Sequence, residues 1–119
     1  VMAESAKLGY PETRHGIVAA IVMANLVRQV GRKVAFELVA LGEPVGALKA
    51  AAIGLVNRVV ADELLMDESL KIAAKLAATS REAMAATKRL FHEAADLPLD
   101  EALERGREVN RLMRGFKKP

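Results

Sequence analysis

Three glycines govern what this chain can fold into. Gly31, Gly42 and Gly54 each close a stretch whose apolar residues recur at helical spacing, and glycine is the residue best able to end a helix in left-handed backbone. Ile17, Val18, Ile21, Val22, Leu26, Val27 and Val30 form the first stripe and predict a helix from residue 17 to Gly31. Lys33 to Leu41 places Val34, Leu38 and Leu41 on one side and stops at Gly42. After a turn at Glu43-Pro44-Val45-Gly46, the alanine-rich segment from Ala47 to Ile53 makes a short helix ended by Gly54.

Between the glycines the chain leaves little room for strands. The β-branched run Leu55-Val56-Asn57-Arg58-Val59-Val60 is the best strand candidate. Ala3 to Tyr10 alternates weakly and reads as a short strand or extended lead-in, halted by Pro11, which forces its predecessor away from helix. Gly16 marks a further turn.

The second half reads as helix throughout. Asp62 is placed to cap a helix running to about Ala78, with Leu65, Ile72 and Leu76 inward and its acids ahead of its lysines, as the helix dipole favours. Thr79 followed three residues later by Glu82 has capping-box spacing. Leu97-Pro98-Leu99-Asp100 breaks that helix, and Asp100 is placed to cap a last one to about Arg114. The fold class is therefore mainly α with one or two short β-strands. No internal repeat or low-complexity linker is present.

Composition narrows the chemistry. With 119 residues, the chain is one domain at most. It has no cysteine, which removes disulfides, thiolate zinc sites and a cysteine nucleophile together, and two histidines, His15 and His92, supply metal ligation poorly. No metal site is expected. The net charge of +3 is spread along the chain rather than gathered in a basic block, so no nucleic-acid partner is expected. No apolar run approaches the roughly 20 residues of a membrane span, and Val1-Met2-Ala3-Glu4 lacks the order of a signal peptide, so the expectation is a cytoplasmic protein away from the membrane. Opening on valine suggests that something precedes it.

Few residues offer chemistry. Glu12, held between Pro11 and the first apolar stripe, could move protons or could be an exposed loop carboxylate. His15, three residues on, could couple to Glu12 or stand alone on the surface. Ser5, Glu12 and His15 lack the spacing of a hydrolase triad, and Gly42, Gly46 and Gly54 do not form a phosphate-binding loop. Arg28, Arg32 and Lys33 could hold a phosphate or simply balance helix ends.

The order of the pieces carries more than any one of them. Ala6-Lys7-Leu8-Gly9-Tyr10-Pro11-Glu12, Gly16-Ile17-Val18, Leu26 to Arg32, Ala35-Phe36-Glu37-Leu38, Gly42-Glu43-Pro44 and Gly54-Leu55-Val56-Asn57-Arg58-Val59-Val60 together resemble the crotonase (enoyl-CoA hydratase/isomerase) superfamily. Thr87-Lys88-Arg89-Leu90 and Leu99 to Glu104 resemble the same family's C-terminal helices. The resemblance covers nearly the whole chain and matches the second half of the family's domain. It implies the C-terminal part of a crotonase ββα spiral fold: residues 1–60 as the second half of the core, with the Pro11-Glu12 corner and the 55–60 strand, and residues 61–119 as a helical oligomerisation region.

The resemblance also implies an activity. The family acts on acyl-CoA thioesters through an enolate stabilised by two backbone N–H groups, while carboxylates move protons or activate water. Glu12 matches the second of the family's catalytic glutamates. Both oxyanion donors, the first glutamate and most CoA-binding loops lie upstream of the segment matching Ala3, so the 119-residue chain alone is expected to be inactive. Coenzyme A is part of the substrate, no further cofactor is implied, and a homotrimer or hexamer is the implied assembly. A catalytically inactive helical self-association module is the alternative.

Two departures from the family stand out. Hydratases of this type carry Pro-Gly-Ala-Gly-Gly where this chain has Val18-Ala19-Ala20-Ile21, which puts Ala20 at the position of a glycine whose N–H faces the reacting water. At the other end, Gly115-Phe116-Lys117-Lys118-Pro119 resembles a shortened form of a stretch that packs over CoA, which makes Phe116 and Lys118 candidate substrate contacts.

Overall fold

The computed structural model describes residues 1–114. Among them are six α-helices and four strands of two residues each, so the chain is mainly helical, with strands more numerous and shorter than the one or two expected. The chain divides into two compact units, Val1–Ser69 and Leu70–Pro119.

The first unit is held by two small pairings that bring distant segments together. Strand β1 (Met2–Ala3) pairs in parallel with β4 (Val59–Val60), Met2 opposite Val59 and Ala3 opposite Val60. Strand β2 (Lys7–Leu8) runs antiparallel to β3 (Val45–Gly46). The strand foreseen over 55–60 is thus confined to its last two residues. The physical reason lies at the end of helix α3 (Ala47–Ala52): the Leu55 and Val56 amides turn back to the Ala50 carbonyl at 2.9 and 3.3 Å, and are committed to ending that helix instead of pairing in a ladder. Gly54 makes the reversal possible at φ 77°.

Helix α1 (Ala20–Val30) begins three residues later than its apolar stripe suggests. Ala19 caps it with no side-chain hydrogen bond, and its φ of −75° and ψ of 51° form an inverse γ-turn in which the Ala20 N–H donates to the Val18 carbonyl at 2.8 Å. Helix α2 (Arg32–Leu41) follows after Gly31. The two pack through Leu26, Ala35, Leu38 and Val39, and with Met2, Ala19, Val45, Ala47 and Ala50 these make the core. It contains no buried aromatic and no buried polar residue. Ile17, Val18 and Ile21 of the predicted stripe are exposed.

Asp62 does not cap the helix that follows it. It opens a single 3₁₀ turn, Asp62–Leu64, and helix α4 runs Leu65–Ala77. Its carboxylate is taken by Ser5 instead. Leu65 and Ile72 are half-buried as expected, whereas Leu76 is exposed.

The second unit is a helical hairpin of α5 (Arg81–Ala94) and α6 (Leu99–Met113). Ser80, not Thr79, is the N-cap of α5: its hydroxyl accepts from the Ala83 N–H at 3.2 Å, while the Thr79 hydroxyl donates back to the Leu76 carbonyl at 2.7 Å. A residue whose hydroxyl serves the preceding helix cannot also cap the next. Pro98 takes the N-cap position of α6, so Asp100 lies inside the first turn, where its charge still suits the dipole. Arg105 on α6 ties the hairpin together by pairing with Glu93 on α5 at 2.9 Å, and Glu93 and Glu108 together hold its guanidinium above the ordinary arginine range.

Candidate active site

The Pro11-Glu12 corner is a 3₁₀ turn spanning Pro11–His15. Proline at its first position fixes φ for the turn without wasting a donor. Gly16 closes it at φ 70°, and the Ile17 N–H donates to the Glu12 carbonyl at 2.9 Å, so the main chain of Glu12 is pinned from behind.

Its side chain is a different matter. Glu12 is half-buried, and its Oε2 is shielded from solvent yet has no hydrogen-bond partner. Buried polar atoms in folded proteins are almost always paired, so an orphan of this kind asks for an explanation outside the chain's own contacts. Glu68 Oε2 is a second such atom among the described residues. Glu68 stands in the first turn of α4, where the helix dipole favours a negative charge. Glu12 also stands in a first turn, but that of a five-residue 3₁₀ helix, whose dipole is far smaller than that of the thirteen-residue α4.

The turn is fastened to the end of α2 by its two middle side chains. The Thr13 hydroxyl donates to the Val39 carbonyl at 2.9 Å, and Arg14 Nε donates to the Leu41 carbonyl at 3.0 Å, with a further Arg14 contact to Glu43 at 3.4 Å. Neither residue stands out in the sequence, because their partners lie 26 to 29 positions away. Gly42 sits against both: a Cβ there would lie 3.1 Å from Arg14 Cγ and 3.3 Å from Thr13 Oγ1.

His15 ends the turn and is exposed. The N–H of Ala20, the position carried over from the family's water-facing glycine, is occupied by the Val18 carbonyl. Phe116 and Lys118 lie outside the described residues. The cleft beside the turn's anchor, lined by Glu37, Leu38, Leu41, Glu43, Val45 and Lys49, holds about 100 Å³ and does not include Glu12. Sites for drug-sized ligands usually run to roughly 300–1,000 Å³. Among the described residues no three His, Asp or Glu side chains gather into a metal-ligand set, and no helix is long and apolar enough to cross a membrane.

The comparison with known families decides the lineage. The profile of the family described as enoyl-CoA hydratase/isomerase matches residues 1–114. The chain belongs to the enoyl-CoA hydratase/isomerase family. Within this crotonase-type family it is 41% identical over 91 residues to a putative enoyl-CoA hydratase of Thermus thermophilus, an alignment covering 76% of this chain and 36% of that protein. It is 32% identical over 114 residues to the 2,3-dehydroadipyl-CoA hydratase of Escherichia coli, covering 95% of this chain and 45% of the relative. The fold agrees closely with the crystal structure of enoyl-CoA hydratase from Bacillus anthracis, at a TM-score of 0.93 and 30% identity over 98% of this chain and 46% of that one. The chain thus spans between about a third and a half of the length of these family members.

Proposed function

We propose that this chain supplies the later part of a crotonase domain acting on an acyl-CoA thioester, with Glu12 as the acid/base. In the hydration direction the oxygen of water bonds to the β-carbon while a second carboxylate takes the proton it releases, the double-bond electrons pass into the thioester enolate, and a protonated Glu12 gives its proton to the α-carbon. In an isomerisation the carboxylate takes an α-proton, the electron pair moves into the thioester enolate, and the proton returns at another carbon. Coenzyme A comes with the substrate, and no further cofactor takes part.

The observation that carries this reading is the solvent-shielded, unpartnered Oε2 of Glu12 within the segment that matches the family. The committed N–H of Ala20 favours proton shuttling over placement of a water by that amide, so Glu12, and not Ala20, bears the proposal. Residues 61–119 are proposed to act in oligomerisation, a trimer or hexamer by resemblance. Phe91, Leu99 and Leu112 of the hairpin are about 70% exposed, and apolar side chains left in water in this way favour burial against another surface.

The test is a chimera in which residues 1–114 replace the matching segment of the Bacillus anthracis hydratase, assayed with crotonyl-CoA. Glu12→Gln is expected to lower kcat/KM by roughly 10²–10⁴, the usual contribution of a general acid/base. Turnover unaffected by that substitution would overturn the role of Glu12.

A further inference from the structure

A helix leaves its last four carbonyls without partners inside the helix. For α2 these are Leu38, Val39, Ala40 and Leu41, and three of them accept a close hydrogen bond. The Gly42 N–H donates to Leu38 at 3.2 Å. The Thr13 hydroxyl donates to Val39 at 2.9 Å with the Ala40 carbonyl 3.5 Å away, and Arg14 Nε donates to Leu41 at 3.0 Å. Three of the four are therefore reached by side chains of the turn that carries Glu12. Arg14 also sets a positive charge at the negative end of the helix dipole.

We infer that Thr13 and Arg14 are positioning residues for Glu12, and that the C-terminus of α2 is the socket that aims its carboxylate; this rests on the reading of Glu12 as the acid/base. Glu12 lies between Pro11, whose φ is fixed by its ring, and Thr13, whose hydroxyl is bound to α2. Its Oε2 has no hydrogen-bond partner, so what the fold fixes directly is the Cα–Cβ bond from which the carboxylate is launched, held by the backbone on either side. Gly42 is the third part of the device. Its left-handed φ of 62° turns the chain out of α2, and its lack of a side chain lets Arg14 and Thr13 approach.

The test is an NMR measurement on the isotopically labelled 119-residue chain, reading the side-chain carboxyl carbon of Glu12 with exposed Glu63 and Glu101 as references. Thr13→Val and Arg14→Gln are expected to move the Glu12 resonance toward those of the references, and Thr13→Ser, which keeps the hydroxyl, to restore the wild-type position. A Glu12 resonance unmoved by Thr13→Val, or moved equally by Thr13→Ser, would overturn the inference. If Thr13→Val unfolds the chain, the wild type decides. Contacts from the Thr13 methyl to Val39 and Ala40, with a Glu12 resonance set apart from Glu63, support it; a Glu12 resonance coincident with Glu63 overturns it. No substrate enters this measurement. A positioned Glu12 whose removal leaves turnover of the chimera intact would sink the acid/base reading alone.

Discussion

Ser5 and Asp62, 57 residues apart in the chain, are joined twice: the Ser5 N–H donates to Asp62 Oδ1 at 3.0 Å, and the Ser5 hydroxyl donates to Oδ2. The pair sits just past the β1–β4 ladder, where the Glu4 N–H donates to the Val60 carbonyl at 2.9 Å, and so closes the loop between the first and last strands of the first unit.

This pairing gives a pH prediction. The Ser5 hydroxyl, then the Ser5 N–H, hold the Asp62 carboxyl below its ordinary value. A carboxyl depressed in the folded state stabilises fully above its unfolded value of about 3.9, and that contribution fades as pH falls from there through the folded value. Ser5→Ala is expected to raise the Asp62 titration midpoint toward the ordinary aspartate range, read by carboxyl NMR, and to flatten the acid limb of the stability curve. An unchanged midpoint would mean that the hydroxyl bond contributes nothing in solution.

Gly42 and Gly54 separate two effects of glycine. Both have positive φ, 62° and 77°, but only Gly42 has side chains pressed against it. Alanine in left-handed backbone costs about 1–2 kcal/mol. Gly54→Ala should lose about that much in denaturant unfolding, and Gly42→Ala more, because Arg14 and Thr13 must also withdraw. Equal losses would show that the close approach at Gly42 is not maintained.

Leu26 and Ile21 lie on one helix with opposite fates, 2% and 86% exposed. Leu26→Ala empties part of the core and should cost about 2–5 kcal/mol. Ile21→Ala should fall within about 0.5 kcal/mol of wild type. The two midpoints of unfolding check both figures.

For the second unit the discriminating pair is Ser80 and Thr79. Loss of the Ser80 cap should destabilise the hairpin by about 1 kcal/mol. Thr79→Ala, which removes only a bond to the preceding helix, should cost less. The reverse order would restore the capping box that the sequence suggests.

The helices were legible because apolar spacing and terminal glycines are local signals: α2 ends at Gly42 and α1 at Gly31 in both readings. Asp62 misleads for the opposite reason. Next to a helical stripe it looks like a cap, and only the pairing of β1 with β4 delivers Ser5 to compete for it. The strands are similar, since a two-residue pairing such as Lys7–Leu8 with Val45–Gly46 has no periodicity to read. At the site, Pro11-Glu12 taken alone is any loop carboxylate, and it was the family resemblance that singled out Glu12. Thr13 and Arg14 carry no local mark at all, because their meaning depends on carbonyls on another helix.

The central claim, that Glu12 moves the α-proton of an acyl-CoA, is tested most directly by proton exchange. The chimera carrying residues 1–114 is incubated in D₂O with a saturated acyl-CoA, butyryl-CoA, and deuterium at the α-carbon is followed by mass spectrometry or NMR. Deuterium should enter with wild-type Glu12 and not with Glu12→Gln. Exchange that continues at a similar rate in Glu12→Gln would contradict the account.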